Sequence, residues 1–159
     1  VSAMQHAFDQ ASGVKTPWNP SRRATARVTN PLPQPTICPH CGSAVELVSN
    51  SHIYGREYGE WPWAFRCTDN ECDSYVGLHP FTGIPLGTLA NAATRAARKR
   101  AKNAFNPLWQ DGGQFKRGEA YAWLAGQLGI TDVSTCHIGW FDVAMCNRVV
   151  QVVRARGAA

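Results

Sequence analysis
Two close pairs of cysteines constrain this chain more than any other feature. Cys38 and Cys41 are separated by two residues, Cys67 and Cys72 by four, and twenty-five residues lie between the pairs. Two intervening residues let a chain fold over so that both sulfurs face one ion, and Gly42 follows where a left-handed residue is needed. The stretch between the pairs is long enough for a two-stranded ribbon that returns the second pair beside the first. Four thiolates at about 2.3 Å then close a tetrahedral site with no open position for an activated water. We therefore expect Cys38, Cys41, Cys67 and Cys72 to hold one structural Zn²⁺. His79 is the spare ligand should the wider pair supply a single sulfur, and His40 is expected to face solvent.

Three disulfides are the other reading of six cysteines. The N-terminal residues do not read as a charged-then-apolar leader, and tight pairing of four cysteines fits metal binding in a reducing compartment. A bacterial host cytosol is the expected location. The longest apolar runs fall far short of the roughly 20 residues that span a bilayer, so no membrane partner is expected.

The 159 residues allow one domain or a small domain with an extension, and 44% hydrophobic residues suffice for a packed core. Residues 1–36 read as a flexible N-terminal arm. Pro31, Pro33 and Pro35 favour extended chain there, and a short helix is expected around Ala3 to Ala11. Residues 37–85 read as the zinc ribbon, with strands at Ala44 to Val48, Ser51 to Tyr54, Trp63 to Arg66 and Tyr75 to His79. Residues 86–156 read as a helical subdomain. One helix is expected from Thr88 to about Phe105, stopped by Asn106-Pro107. A second runs from about Lys116 to Leu128 and ends at Gly129. A third runs from near Asp142 to about Arg154, where four valines leave a strand as the alternative. The resulting fold class is α+β: a four-cysteine zinc ribbon of short antiparallel strands packed on a small helical subdomain, behind a flexible arm.

The net charge is +5, and its distribution is uneven. Between Pro85 and Arg117 there are seven Lys or Arg and one acid, Asp111. Such a local positive field suits nucleic acid or another acidic partner, although most basic runs are simply solvated helix faces. At helical spacing Arg95, Arg98, Lys99 and Lys102 share one face, opposite Leu89, Ala93, Ala96, Ala97 and Phe105. In the ribbon, Trp61, Trp63 and Phe65 alternate and so share a strand face. Exposed beside Arg56 and Arg66 they would form a base-stacking platform; covered, they are the ribbon's own core. Cys136, His137 and Asp142 invite a nucleophilic reading, and Cys136, His137 and Cys146 a second metal site. Core packing and helix capping account for these residues more simply.

The segments carrying these features resemble the zinc-finger-containing domain family common in phages and prophages. The resemblance rests on Cys38-Pro39-His40-Cys41-Gly42, His52-Ile53-Tyr54-Gly55-Arg56 with Tyr58-Gly59, and Tyr75-Val76-Gly77-Leu78-His79. It continues through Pro85-Leu86-Gly87-Thr88-Leu89-Ala90-Asn91, Phe105-Asn106-Pro107-Leu108-Trp109, Glu119-Ala120-Tyr121-Ala122-Trp123-Leu124 and Cys136-His137-Ile138-Gly139-Trp140-Phe141-Asp142. Together these span about residues 37–153. The family's second knuckle is narrower than the one here. The resemblance implies a phage or prophage origin and a zinc ribbon joined to helices, and it implies no particular reaction. Tyr58-Gly59, Trp61, Trp63, Phe65 and Cys67 are also similar to the C-terminal zinc ribbons of bacterial type I topoisomerases, which bind single-stranded DNA.

Taken together, these features lead us to expect a non-enzymatic phage or prophage protein that contacts DNA or RNA through the basic helix and the ribbon aromatics. The alternative is a protein-interaction factor that docks on a host complex such as polymerase, ribosome or defence machinery. A steep salt dependence distinguishes phosphate binding from an apolar protein interface.

Overall fold
The computed structural model describes residues 12–158. The helix expected over Ala3 to Ala11 lies outside the described residues. The chain divides into two compact units, Val1–Asn91 and Ala92–Ala159.

In the first unit a short helix, α1 (Arg22–Arg27), starts at Ser21, whose hydroxyl accepts from the Ala24 amide. The described part of the segment expected as an arm is anchored at several points. The Trp18 ring meets Trp63 edge-on at 5.1 Å, and the Ser21 amide donates to the Phe81 carbonyl at 2.8 Å. The Gln34 carboxamide donates to the Gly83 carbonyl at 2.9 Å, where a Cβ on Gly83 would collide with it.

The unit's centre is an antiparallel sheet in the order β1 (Val45–Ser49), β2 (Trp63–Cys67), β3 (Tyr75–Gly77). Leu47 pairs with Phe65, and Phe65 with Val76. Strand alternation therefore sends Val45, Leu47, Trp63, Phe65, Cys67 and Val76 to one face, where they pack with Cys38, Leu78 and Leu89. Glu46, Arg66 and Tyr75 are cross-strand neighbours on the opposite face.

Ser51 to Tyr54, expected as a strand, form a single helical turn, α2 (Ser51–Tyr54). The Asn50 carboxamide is the reason. It accepts from the Tyr58 amide at 3.1 Å and donates to the Tyr58 carbonyl at 3.0 Å, which closes the loop. Gly55, at φ 81, ends the turn in the left-handed region. These local hydrogen bonds override the strand preference of Ile53 and Tyr54.

The helix expected from Thr88 begins later, as α3 (Ala92–Phe105). Residues 85–90 are held by the sheet instead: the Leu86 amide donates to the Gly77 carbonyl, and Ala90 and Tyr75 exchange hydrogen bonds. The compact unit that contains the ribbon accordingly runs through these residues to Asn91.

The second unit contains α3, α4 (Arg117–Leu128) and α5 (Val143–Ala158). A 3-10 turn at Asn106–Leu108 closes α3 at the expected Asn-Pro. Gly129, at φ 74, ends α4 with its amide on the Ala125 and Gly126 carbonyls. The Asp142 carboxylate accepts from the Met145 amide at 2.8 Å and opens α5. The valine-rich stretch is helical because Cys146, Val149 and Val152 recur at helical spacing and all face the core. That core centres on Phe105, Leu124 and Val149. Ala97, Ala101, Ala120 and Ala125 keep the helices close. Among the described residues, no helix is long and apolar enough to cross a membrane.

Candidate functional site
The first knuckle is a tight turn. The Cys38 amide donates to the Ser43 carbonyl at 2.8 Å, and the Gly42 amide reaches back to the Cys38 carbonyl at 2.9 Å. Gly42 sits at φ 77, which explains the glycine after the second cysteine. The second knuckle starts at the end of β2. Its wider gap accommodates an Asp turn, in which the Asp69 carboxylate accepts from the Glu71 amide at 2.9 Å. After Cys72 the chain turns through Asp73, at φ 50, and enters β3. β1 and β2 are the ribbon that carries one knuckle to the other, with Val45 opposite Cys67.

All four sulfurs lie within 4.8 Å of one another. Cys38 and Cys72 are 3.8 Å apart, and Cys41 and Cys67 are 3.4 Å apart. Zinc–thiolate bonds of about 2.3 Å make a tetrahedron with edges of about 3.8 Å, so these sulfurs fit one Zn²⁺. They are also supplied with donors. The Asp69 amide points at Cys67 Sγ from 3.4 Å, and the Ser74 hydroxyl lies 3.1 Å from Cys72 Sγ.

The four thiols are not equivalent. Hydrogen bonds from the Ser43 hydroxyl and amide bring the exposed Cys41 thiol down to about 7. Burial pushes Cys67 up to about 12. For Cys72, the Ser74 hydrogen bond pulls downward, but burial and the neighbouring thiols outweigh it and the thiol is raised. Cys41 therefore forms a thiolate more readily than Cys67 or Cys72, and a bound Zn²⁺ would supply the charge that holds those two ionised. The second knuckle provides both its sulfurs, and His79 is outside the cluster. His40 is exposed, as expected, but its Nε2–H donates to the Leu89 carbonyl at 2.9 Å and ties the knuckle to the chain before Asn91.

The candidate binding residues separate on the structure. Phe65 is buried, and Trp61 and Trp63 are partly buried in the ribbon core. Trp61 Nε1 donates to the Thr82 carbonyl at 2.9 Å. The tryptophan face is thus the covered side of the sheet.

Exposed aromatics gather on the other side, where residue alternation predicts no stripe. Tyr54 and Tyr58 are 50% and 46% exposed, with their rings edge-to-face at 5.3 Å. Tyr54 also meets Tyr75 at 6.2 Å, and the Arg56 guanidinium lies 4.3 Å from the centre of the Tyr58 ring. Arg66, beside Tyr75 in the sheet, donates to Asn70 Oδ1 at 3.2 Å while its buried Nε has no partner. Tyr54, Arg56 and Tyr58, at alternating positions, are the sequence signal for this cluster. Their spacing suggests strand and loop, because α2 folds them back only in three dimensions.

The basic face of α3 also divides. Lys99 and Lys102 are exposed and Arg95 is partly buried. Arg98 is buried, and its Nε donates to the Phe141 carbonyl at 2.9 Å. It lies four residues after Thr94 and three before Ala101, both buried, so it falls in the covered stripe. Burial lowers its pKa, opposed by nearby Cys146 and Asp142.

Cys136, His137 and Cys146 each have a structural partner. Cys136 and Cys146 are buried in the helical core, and burial pushes the Cys136 thiol up to about 11. His137 Nε2–H donates to the Ser134 carbonyl at 2.8 Å, and its ring lies 4.3 Å from that of Trp140.

The chain belongs to the zinc-finger-containing domain family, whose pattern matches residues 34–156. No curated protein and no solved structure matches it. The likeness to topoisomerase ribbons receives no support from these comparisons.

Proposed function
We propose that this zinc-finger-containing protein is a non-enzymatic binder of single-stranded nucleic acid, acting in a bacterial host cytosol and of phage or prophage origin. Its zinc is structural. The observation that carries the reading is the cluster of exposed Tyr54 and Tyr58 and half-buried Tyr75 with Arg56 and Arg66 on the side of the ribbon sheet opposite Phe65. Bases stack on exposed rings and phosphates pair with guanidinium groups, and each stacked base contributes about 1–3 kcal/mol. A duplex keeps its bases stacked internally, so single strands are preferred. Lys99 and Lys102 add sequence-independent attraction from the helical unit.

The test is fluorescence anisotropy with a labelled oligothymidylate and a matched duplex. The double variant Tyr54→Ala, Tyr58→Ala should weaken single-strand binding about tenfold or more, with zinc content unchanged. Trp61→Phe should have little effect. Equal binding of duplex and single strand, or unaltered binding by the tyrosine variant, would overturn the proposal. Recovery of a nuclease-resistant protein partner with weak salt dependence would favour docking on a host complex instead.

A further inference from the structure
The helical unit carries a concave feature that the zinc ribbon does not explain. Between α3 and α5 runs a trough of about 580 Å³. Ala104 and Val150 contribute small apolar surfaces. Arg100 and Asn103 line it from α3, and Asn147, Gln151 and Arg154 from α5. All five of these polar residues are exposed.

The spacing is regular. Asn147, Gln151 and Arg154 recur at four and three residues and so form one stripe, about 10 Å long. Arg100 and Asn103 face it from the neighbouring helix at the same periodicity. Three carboxamides offer both donors and acceptors, and two guanidinium groups offer forked donors that match phosphate oxygens. Among the described residues, no carboxylate lines the trough.

The surrounding charge is one-sided. α3 carries Arg95, Arg98, Lys99, Arg100 and Lys102, and α5 carries Arg148, Arg154 and Arg156; neither helix contains an Asp or Glu. Two of these cations are committed inside the unit. Arg98 is held by the Phe141 carbonyl. Arg156 donates to Gln114 at 2.7 Å and lies over Phe115. Arg100 and Arg154 instead border the trough, with Lys99, Lys102 and Arg148 exposed on the same two helices. A protein with this trough attracts an anion of extended shape that can be neutralised at more than one point.

We propose that the trough between α3 and α5 is a phosphodiester-binding groove, in which Arg100 and Arg154 each pair with a phosphate of a nucleic-acid strand. Asn103, Asn147 and Gln151 hydrogen-bond to the sugar or base edge between those phosphates. This rests on the nucleic-acid reading above and places a contact in the helical unit, on residues other than the Arg95, Arg98, Lys99 and Lys102 face read from the sequence.

The test uses the zinc-loaded full chain, the double variant Arg100→Ala, Arg154→Ala, and two probes: oligothymidylate and inorganic phosphate. Both arginines are exposed, so circular dichroism and zinc content should match wild type. Two cations withdrawn from a single strand should reduce the slope of log affinity against log salt by about 1.4. The side-chain amide NMR signals of Asn103, Asn147 and Gln151 should shift on adding oligothymidylate to wild type and stay fixed in the variant. Oligothymidylate binding with silent amides and an unchanged slope would overturn the groove alone. Amide shifts with inorganic phosphate, but an unchanged slope for the strand, would make it a small-anion site and also overturn the proposal. Failure of wild type to bind oligothymidylate at all would overturn both this groove and the ribbon reading.

Discussion

The ribbon unit and the helical unit are stabilised by different means. In the first, the main buried cluster among the described residues consists of Cys38, Phe65, Cys67, Leu78 and Leu89, so two of its five members are metal ligands. In the second, twelve buried residues among those described, drawn from all three helices and the turns between them, form one cluster, and its two cysteines are only packing groups. A cluster of five cannot offset the ordering entropy of three strands and their long connections, whereas a helical core with fully buried Phe105, Leu124 and Val149 needs no metal. What differs is the order of assembly implied by each. The ribbon forms when zinc draws two distant knuckles together, and the helices form when their apolar faces meet.

Removing zinc should separate the two units most sharply. Structural zinc contributes about 10 kcal/mol or more to small modules. A strong chelator should therefore abolish the sheet while the helical circular-dichroism signal persists. Thiol labelling gives a finer readout. Cys38, Cys41, Cys67 and Cys72 should react once zinc is withdrawn, while Cys136 and Cys146 stay protected until the helices unfold. Burial raises both of the latter thiols, which keeps them un-ionised and inert at neutral pH. Simultaneous reaction of all six would show that the units do not differ in this way.

A cavity in the helical core should do the converse. Phe105 is fully buried, and Phe105→Ala should cost the helical unit about 3–5 kcal/mol in denaturant unfolding. Zinc stoichiometry should be unchanged, and loss of zinc at the same denaturant concentration would contradict the division.

Arg98→Ala is a smaller change that sharpens the contrast between structural and binding cations. It leaves the buried Phe141 carbonyl with only the long contact from Cys146 Sγ at 4.0 Å, at a cost of about 1–3 kcal/mol. Oligonucleotide affinity measured well below the unfolding transition should barely change. A drop in affinity larger than that of Lys99→Ala would return Arg98 to the binding surface.

Cysteine spacing makes the metal centre readable without coordinates. The two knuckles need only local turns, which Gly42 and the Asp69 side chain encode, and a ribbon of the right length. The helix ends are readable for the same reason: Asn106-Pro107, Gly129 and Asp142 act within a few residues of themselves. The start of α3 is not, because residues 85–90 pair with a strand distant in sequence. Nor is α2, where the side chain of Asn50 reaches across a loop to Tyr58.

Residue spacing and local backbone chemistry are enough to specify the zinc ligands, the α+β class and a basic helix joined to aromatic-bearing strands. Which side of each element is covered is settled only by long-range packing. Periodicity says that Trp61, Trp63 and Phe65 share a face, and that Arg98 shares one with Lys102, but not which face meets a neighbour. That choice depends on segments far away in the chain: Trp18 and Leu89 bury the tryptophan side of the sheet, and the Phe141 carbonyl captures Arg98. Tyr54 and Tyr58 and the trough beside Arg100 are what that covering leaves exposed.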